Sequence, residues 1–257
     1  MIRAARSAVV LAVAVSVLLA GCAVQREPLA LEPTPSATPS RSVTPTPTPT
    51  PTPTFDTARF SIDDPASLWV VVNKLRPLNP TSYSPGDLVS ANVAATRDML
   101  IRAETAAATE AMFAAAQSEA GLALRLESAF RSFDVQTRVY SGWVNSLGQA
   151  GADLTSARPG HSEHQTGFAI DIGAVPAVCS LDQCFADTPQ GQWLAANAYR
   201  FGFTLRYPNG MTPTTGYEFE PWHYRYLGLE LAAELHSTGI LTLEEFFGLP
   251  AAPDYAG

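Results

Sequence analysis

Cysteine is scarce in this chain, with only 3 among its 257 residues. Cys179 and Cys184 have no further soft ligands near them, which excludes a metal cluster built from thiolates. Positive charge is also short: Lys and Arg number 16 against 24 Asp and Glu, for a formal net charge of -8. That balance argues against nucleic acid as a partner, because phosphate binding relies on clustered Lys and Arg. No block of like charges stands out, so the acidity reads as an ordinary solvated surface. Internal repeats are absent. What composition leaves is a soluble globular domain, and the chain from about Phe55 onward is the right size for one sizeable core.

The first residues carry an address. Arg3 and Arg6 form a positive start, and the apolar run Ala8 to Ala20 is too short to span a membrane by itself. It closes on Leu19-Ala20-Gly21-Cys22, which resembles the bacterial lipobox, where the leader is cut before a cysteine that then carries the lipid. Residues 1–21 are therefore expected to be a lipoprotein signal peptide with Cys22 the lipidated residue. The protein is expected to be extracytoplasmic, held by this anchor on the outer face of the cytoplasmic membrane. From Pro28 to Thr54 the chain is dominated by Pro, Thr and Ser, ending in strict Thr-Pro alternation. Proline fixes φ and removes a donor, so this stretch is expected to be a disordered, extended spacer. Residues 22–58 then form the anchor and linker, 59–249 the domain and 250–257 a tail. In an oxidising compartment, Cys179-Ser-Leu-Asp-Gln-Cys184 reads as a small disulfide-closed loop.

Within the domain, Trp69–Val72 is apolar and β-branched, a strand or extended segment. Ala94 to Leu124 is rich in Ala, Glu, Met and Leu and reads as one long helix. Leu126–Phe130 reads as a strand, and Asp134–Leu147 as a helix capped by Ser132 or Asp134. Phe168–Ile172 alternates as a strand, Pro189–Phe201 is a helix stopped by Gly202, and Leu227–Ser237 closes the domain as a helix. Phe203–Tyr207 and Tyr217–His223 are expected strands. Helices and strands do not alternate regularly, which predicts an α+β fold with an antiparallel sheet flanked by helices.

All four histidines, His161, His164, His223 and His236, lie in the C-terminal half. A hydrolytic zinc site needs three ligands of the His and carboxylate type, and a nearby carboxylate to take a proton from water. His164, Asp171 and His223 can supply the first and Glu220 the second. Asp171 falls on the strand face opposite Phe168, Ile170 and Ile172, which aims it into a cleft while the apolar side is buried. Gly167 permits a tight turn between His164 and that strand. Pro221 biases Glu220 away from helical dihedrals, so this is not a helical His-Glu-x-x-His site. Spacing alone leaves open the plainer reading, in which these are hydrogen-bonded structural histidines and Glu220 makes a surface ion pair.

The residues in combination are more specific. Ser162-x-His164-x-x-Gly167-x-Ala169-x-Asp171 followed by Glu220-x-Trp222-His223 resembles the signature of VanY-type zinc D-alanyl-D-alanine carboxypeptidases, relatives of lysostaphin-like and hedgehog-type zinc domains. Ser128-Ala129-Phe130-Arg131-Ser132-Phe133 with Gln136 resembles that family's Ser-Gly-Tyr-Arg-Ser-Tyr…Gln element, with Ala for Gly and Phe for both Tyr. Val72-Asn73-Lys74, Tyr83-x-Pro85-x-Asp87-Leu88 and Arg225-Tyr226-Leu227-Gly228 also match, so the resemblance covers about Trp69 to Leu235.

The resemblance implies Zn2+ held by His164, Asp171 and His223, Glu220 as catalytic base, and Arg131 at the developing oxyanion. It implies Ser162 and Gln136 as contacts to the terminal residue of peptidoglycan stem peptides; separately, a monomer is expected. Removal of a terminal D-Ala is the first expectation. L,D-carboxypeptidase, cross-link endopeptidase and a non-catalytic zinc-containing wall-binding module are the alternatives. His161 is expected at the cleft edge at most, His236 on the surface, Trp222 as a packing wall, and Glu163 and Glu218 as solvated residues or supports.

Overall fold

The computed structural model describes residues 55–256; the expected signal peptide, the lipidated Cys22 and the spacer to Thr54 lie outside the described residues. In chain order the domain comprises β1 (Leu88–Ser90), β2 (Leu100–Arg102), α1 (Ala103–Ala120), β3 (Ala123–Ser128), α2 (Phe133–Thr155) and β4 (Ala169–Val175). There follow α3 (Pro189–Asn197), β5 (Phe203–Leu205), α4 (Thr212–Thr215), β6 (His223–Tyr226), α5 (Gly228–Thr238) and α6 (Leu243–Phe246). β1 and β2 make a small antiparallel ribbon, and the main sheet is antiparallel in the order β3-β4-β6-β5. The α+β expectation holds. Among the described residues no helix is long and apolar enough to cross a membrane.

The main core lies between this sheet and α1 and α3. Ile170 and Ile172 of β4 are fully buried there with Met112 and Ala116 of α1 and Leu194 of α3. Truncating either isoleucine to Ala is expected to cost about 2–5 kcal/mol. Asp171, between them in sequence, must then point to the other face of the sheet. Cross-strand register sets Asp171 opposite His223 on β6, and Ser128 at the end of β3 lies on its other side. The turn feeding β4 is a 3-10 segment, Glu163–Thr166, closed by Gly167 at φ 73. A Cβ on Gly167 would sit 2.8 Å from Arg102 Cγ, so glycine is required there for both space and dihedral.

The structure redraws several expected elements. The predicted long helix begins only at Ala103, because Leu100–Arg102 is taken as β2 to pair with β1 and Ile101 is buried in the core. Its other end stops at Gly121, left-handed at φ 68, and Ala123 already belongs to β3. Trp69–Val72 runs buried without a strand partner among the described residues. Trp69 and Val71 join one apolar cluster, Val70 and Val72 another, so two-sided burial rather than a ladder explains its strand-like pattern. Ser132 Oγ caps α2 by accepting from Val135 N, and Gly148 at φ 72 breaks the helix just past Leu147. Tyr217–Trp222 is irregular, and the strand expected there begins only at His223. The expected tail packs onto the domain: Ala252 is buried, and Tyr255 Oη accepts from the backbone N of Arg158 at 2.8 Å.

Candidate metal centre and substrate cleft

The antiparallel register of β4 and β6 and the 3-10 turn before β4 bring His164, Asp171 and His223 together, all buried, with one potential ligand atom from each within 4.8 Å of the others. His164 Nδ1 lies 2.8 Å from the carbonyl oxygen of Ala129. A carbonyl only accepts, so Nδ1 carries the hydrogen of the neutral ring, and Nε2 turns a lone pair toward Asp171 Oδ2 at 3.2 Å. His223 Nδ1 faces Asp171 Oδ1 at 3.1 Å and Glu220 Oε2 at 3.6 Å. A ring lone pair facing a carboxylate at such distances is repulsive unless a cation lies between them. A proton or a metal ion meets that need, and two imidazoles with one carboxylate are a donor set suited to zinc. The cluster can hold a metal.

The protonation pattern carries the same signature. Burial opposes the charge of Asp171, but His164 and His223 outweigh it and hold its carboxyl well below the ordinary range. Burial disfavours the His223 cation too, yet hydrogen bonds to Asp171 and Glu163 push its pKa up to about 9. Glu220 differs: burial, with Asp171 adding repulsion, pushes its carboxyl up to about 8 although His223 and Arg131 pull it down. A buried carboxyl poised near neutrality beside a cation site fits a group that exchanges protons.

These groups form the floor of a cleft of ≈ 710 Å³. Ser162, Tyr207, Trp222 and Glu218 line it, together with Arg131, Glu220 and the three clustered residues. Its outer walls are α2, through Val135, Val139 and Trp143, and the loop Leu181–Gln183. That loop is closed by the Cys179–Cys184 disulfide, as its spacing suggested.

Residues 98–229 match the family model described as VanY, D-alanyl-D-alanine carboxypeptidase. The chain belongs to this family. It is 40% identical over 192 residues to the putative carboxypeptidase YodJ of Bacillus subtilis (strain 168), spanning 73% of this chain and 69% of that protein. The solved structure of the LdcB LD-carboxypeptidase, reported with the basis of its peptidoglycan recognition, is similar at 39% identity and TM-score 0.66. That likeness covers 72% of this chain and 87% of the other. A mutant of the vancomycin resistance D,D-pentapeptidase VanY from a VanB-type cassette, in complex with Zn(II), is similar at 30% identity and TM-score 0.58, covering 69% and 97%.

Within this VanY-family site, Arg131 is held on both sides: Nη1 donates to Gln136 Oε1 at 2.8 Å and Nη2 to Ser128 Oγ at 3.2 Å. Gln136 is placed differently from its expected role as a substrate contact. It is fully buried and absent from the cleft wall, and its amide nitrogen donates to Ser156 Oγ and to the Ala157 carbonyl. Its carboxamide oxygen meets Arg131. Ser162 does reach the cleft. His161 does not: its Nδ1 lies 2.8 Å from the Asn73 carbonyl and its ring packs on Tyr255. His236 stacks on Tyr199 away from the site. The residue the sequence undersold is Glu163, wholly buried behind His223 with Arg206, Arg225 and Glu244 around it. Its position next to His164 was the one available signal.

Proposed function

We propose that the chain is a zinc D,D-carboxypeptidase that hydrolyses the terminal D-Ala from peptidoglycan stem pentapeptides, with Glu220 as general base. The observation that carries the reading is the buried Glu220 carboxyl 3.6 Å from His223 Nδ1, at the edge of the His-Asp-His cluster and on the floor of the cleft. His164, Asp171 and His223 would hold the ion. Zinc supplies Lewis acidity at such a site, acidifying water and polarising a carbonyl. Glu220 takes the proton from the water that attacks the carbonyl preceding the terminal residue, and returns it to the departing amine. Arg131, its guanidinium fixed by Gln136 and Ser128, faces the charge that develops on the carbonyl oxygen. Ser162 offers a hydroxyl to the terminal residue, and Tyr207 and Trp222 exclude solvent. Among the described residues Ser162 has no basic partner in hydrogen-bond contact, so it is not read as a nucleophile.

The likeness to an LD-carboxypeptidase supports a second reading, removal of D-Ala from tetrapeptides. Mass spectrometry of muropeptides incubated with the zinc-loaded protein separates the two. Loss of one alanine from pentapeptide, blocked by a chelator, supports the D,D assignment; trimming of tetrapeptide alone moves it to L,D. Cleavage of neither by protein that holds zinc would refute both. We also propose a lipid anchor at Cys22 on the outer face of the cytoplasmic membrane. The leader pattern supports that placement, and a disulfide in the domain suits an oxidising compartment.

A further inference from the structure

Behind His223 lies a cluster of four charged side chains with almost no solvent contact. Glu163 Oε1 accepts from Arg206 Nε and from Arg225 Nη1, both at 3.0 Å. Arg206 gives its two Nη atoms to the two oxygens of Glu244 at 3.0 and 2.7 Å, and Glu244 Oε1 also accepts from Asn73 Nδ2 at 2.9 Å. Arg225 Nη2 donates to the Leu68 carbonyl at 2.9 Å. None of Glu163, Arg206, Arg225 and Glu244 is more than 1% exposed. Burying such groups is costly even when paired, and an apolar packing of equal volume would often be as stable. The cluster therefore calls for a reason beyond stability.

Its second carboxylate oxygen supplies one. Glu163 Oε2 stands 3.4 Å from His223 Nε2. A carboxylate fixed by two guanidiniums accepts and does not donate, so Nε2 carries the hydrogen and the lone pair of the neutral ring is on Nδ1. Nδ1 is the atom facing Asp171 and Glu220. We propose that Glu163 is a positioning residue that selects the Nδ1-ligating tautomer of His223 and fixes its ring, with the guanidiniums of Arg206 and Arg225 holding Glu163 in place. This rests on the reading of His164, Asp171 and His223 as the zinc ligands.

The test is zinc affinity of the full-length protein, measured by competition with a chromophoric chelator, together with the visible spectrum of the cobalt-substituted form. Glu163→Gln is expected to weaken zinc binding by about 10–100-fold, the usual effect of losing a carboxylate behind a ligating histidine, and to shift the cobalt bands. Glu244→Gln removes a charge from the same cluster without touching His223; it is expected to lower the melting temperature but to change zinc affinity by far less. Equal zinc affinity in Glu163→Gln and wild type, or equal losses in both variants, would overturn the inference. Should Glu163→Gln fail to fold, side-chain nitrogen NMR of wild-type His223 decides. A hydrogen on Nε2 with zinc on Nδ1 supports the inference, and zinc on Nε2 overturns it. A wild-type protein that binds no zinc would instead remove the reading of the metal site on which the inference depends.

Discussion

Replacing Gln136 by Leu separates its two possible roles. The side chain is fully buried and makes three hydrogen bonds, accepting from Arg131 and donating to Ser156 and Ala157. Leucine keeps most of the volume and none of those bonds. At about 1 kcal/mol for each neutral bond and about 2 for the one to the guanidinium, the loss is about 4 kcal/mol, of which the added apolar burial returns about 1. A net cost of about 3 kcal/mol corresponds to a melting temperature lower by about 6–12 °C for a domain of this size. The catalytic effect is distinct. Losing an oxyanion donor outright costs about 10²–10³ in kcat, and Arg131 keeps its bond to Ser128, so a fall of about 10–100-fold is expected with KM nearly unchanged. In an Arg131→Ala background the same replacement should cost little further activity. Steady-state kinetics on a pentapeptide, with zinc content measured in parallel, is the assay. A raised KM with kcat intact would mean that Gln136 touches substrate, and the positioning account would fail.

Other consequences are as concrete. In the zinc-free protein the His223 pKa is raised to about 9, so its stabilising contribution is present below the unfolded value near 6.5 and is lost as pH rises toward 9. Glu220, raised to about 8, binds more protons folded than unfolded above pH 4.5, so it also lowers stability as pH rises. The melting temperature of the chelator-treated protein should therefore fall between pH 7 and 9, and fall less when zinc is bound; a rise over that window would contradict the site's electrostatics. Replacing Cys179 and Cys184 together by Ser opens the loop they close, costing about 2 kcal/mol and about 4–8 °C in a thermal melt. Because Leu181–Gln183 walls the cleft, the same variant should raise KM for stem peptide more than it lowers kcat.

The chemistry of the site was more legible than its surroundings. That His164, Asp171, His223 and Glu220 come together was readable because each belongs to a short segment with a local pattern: an alternating strand for Asp171, a turn glycine for His164, a proline beside Glu220. The helix α2 was readable to its break because Ser132 and Gly148 are local signals. What failed was non-local. Nothing in the Ala-rich stretch reveals that Leu100–Arg102 is claimed by pairing with Leu88–Ser90, which overrides its helical preference. Nothing around Glu163 shows that Arg206 and Arg225 converge on it, since they are 43 and 62 residues away in sequence. Gln136 is a like case: a polar residue in a site motif looks like a substrate contact, and neither its burial nor its bond to Arg131 can be seen in the sequence.

The central claim is that Glu220 acts as proton acceptor beside a metal held by His164, Asp171 and His223. Its most direct test is D-alanine release from a stem pentapeptide by Glu220→Ala, read on the same sample as its zinc content. The variant is expected to carry a full complement of zinc with turnover reduced by at least about 10²–10⁴-fold. Near wild-type turnover from zinc-loaded Glu220→Ala would contradict it.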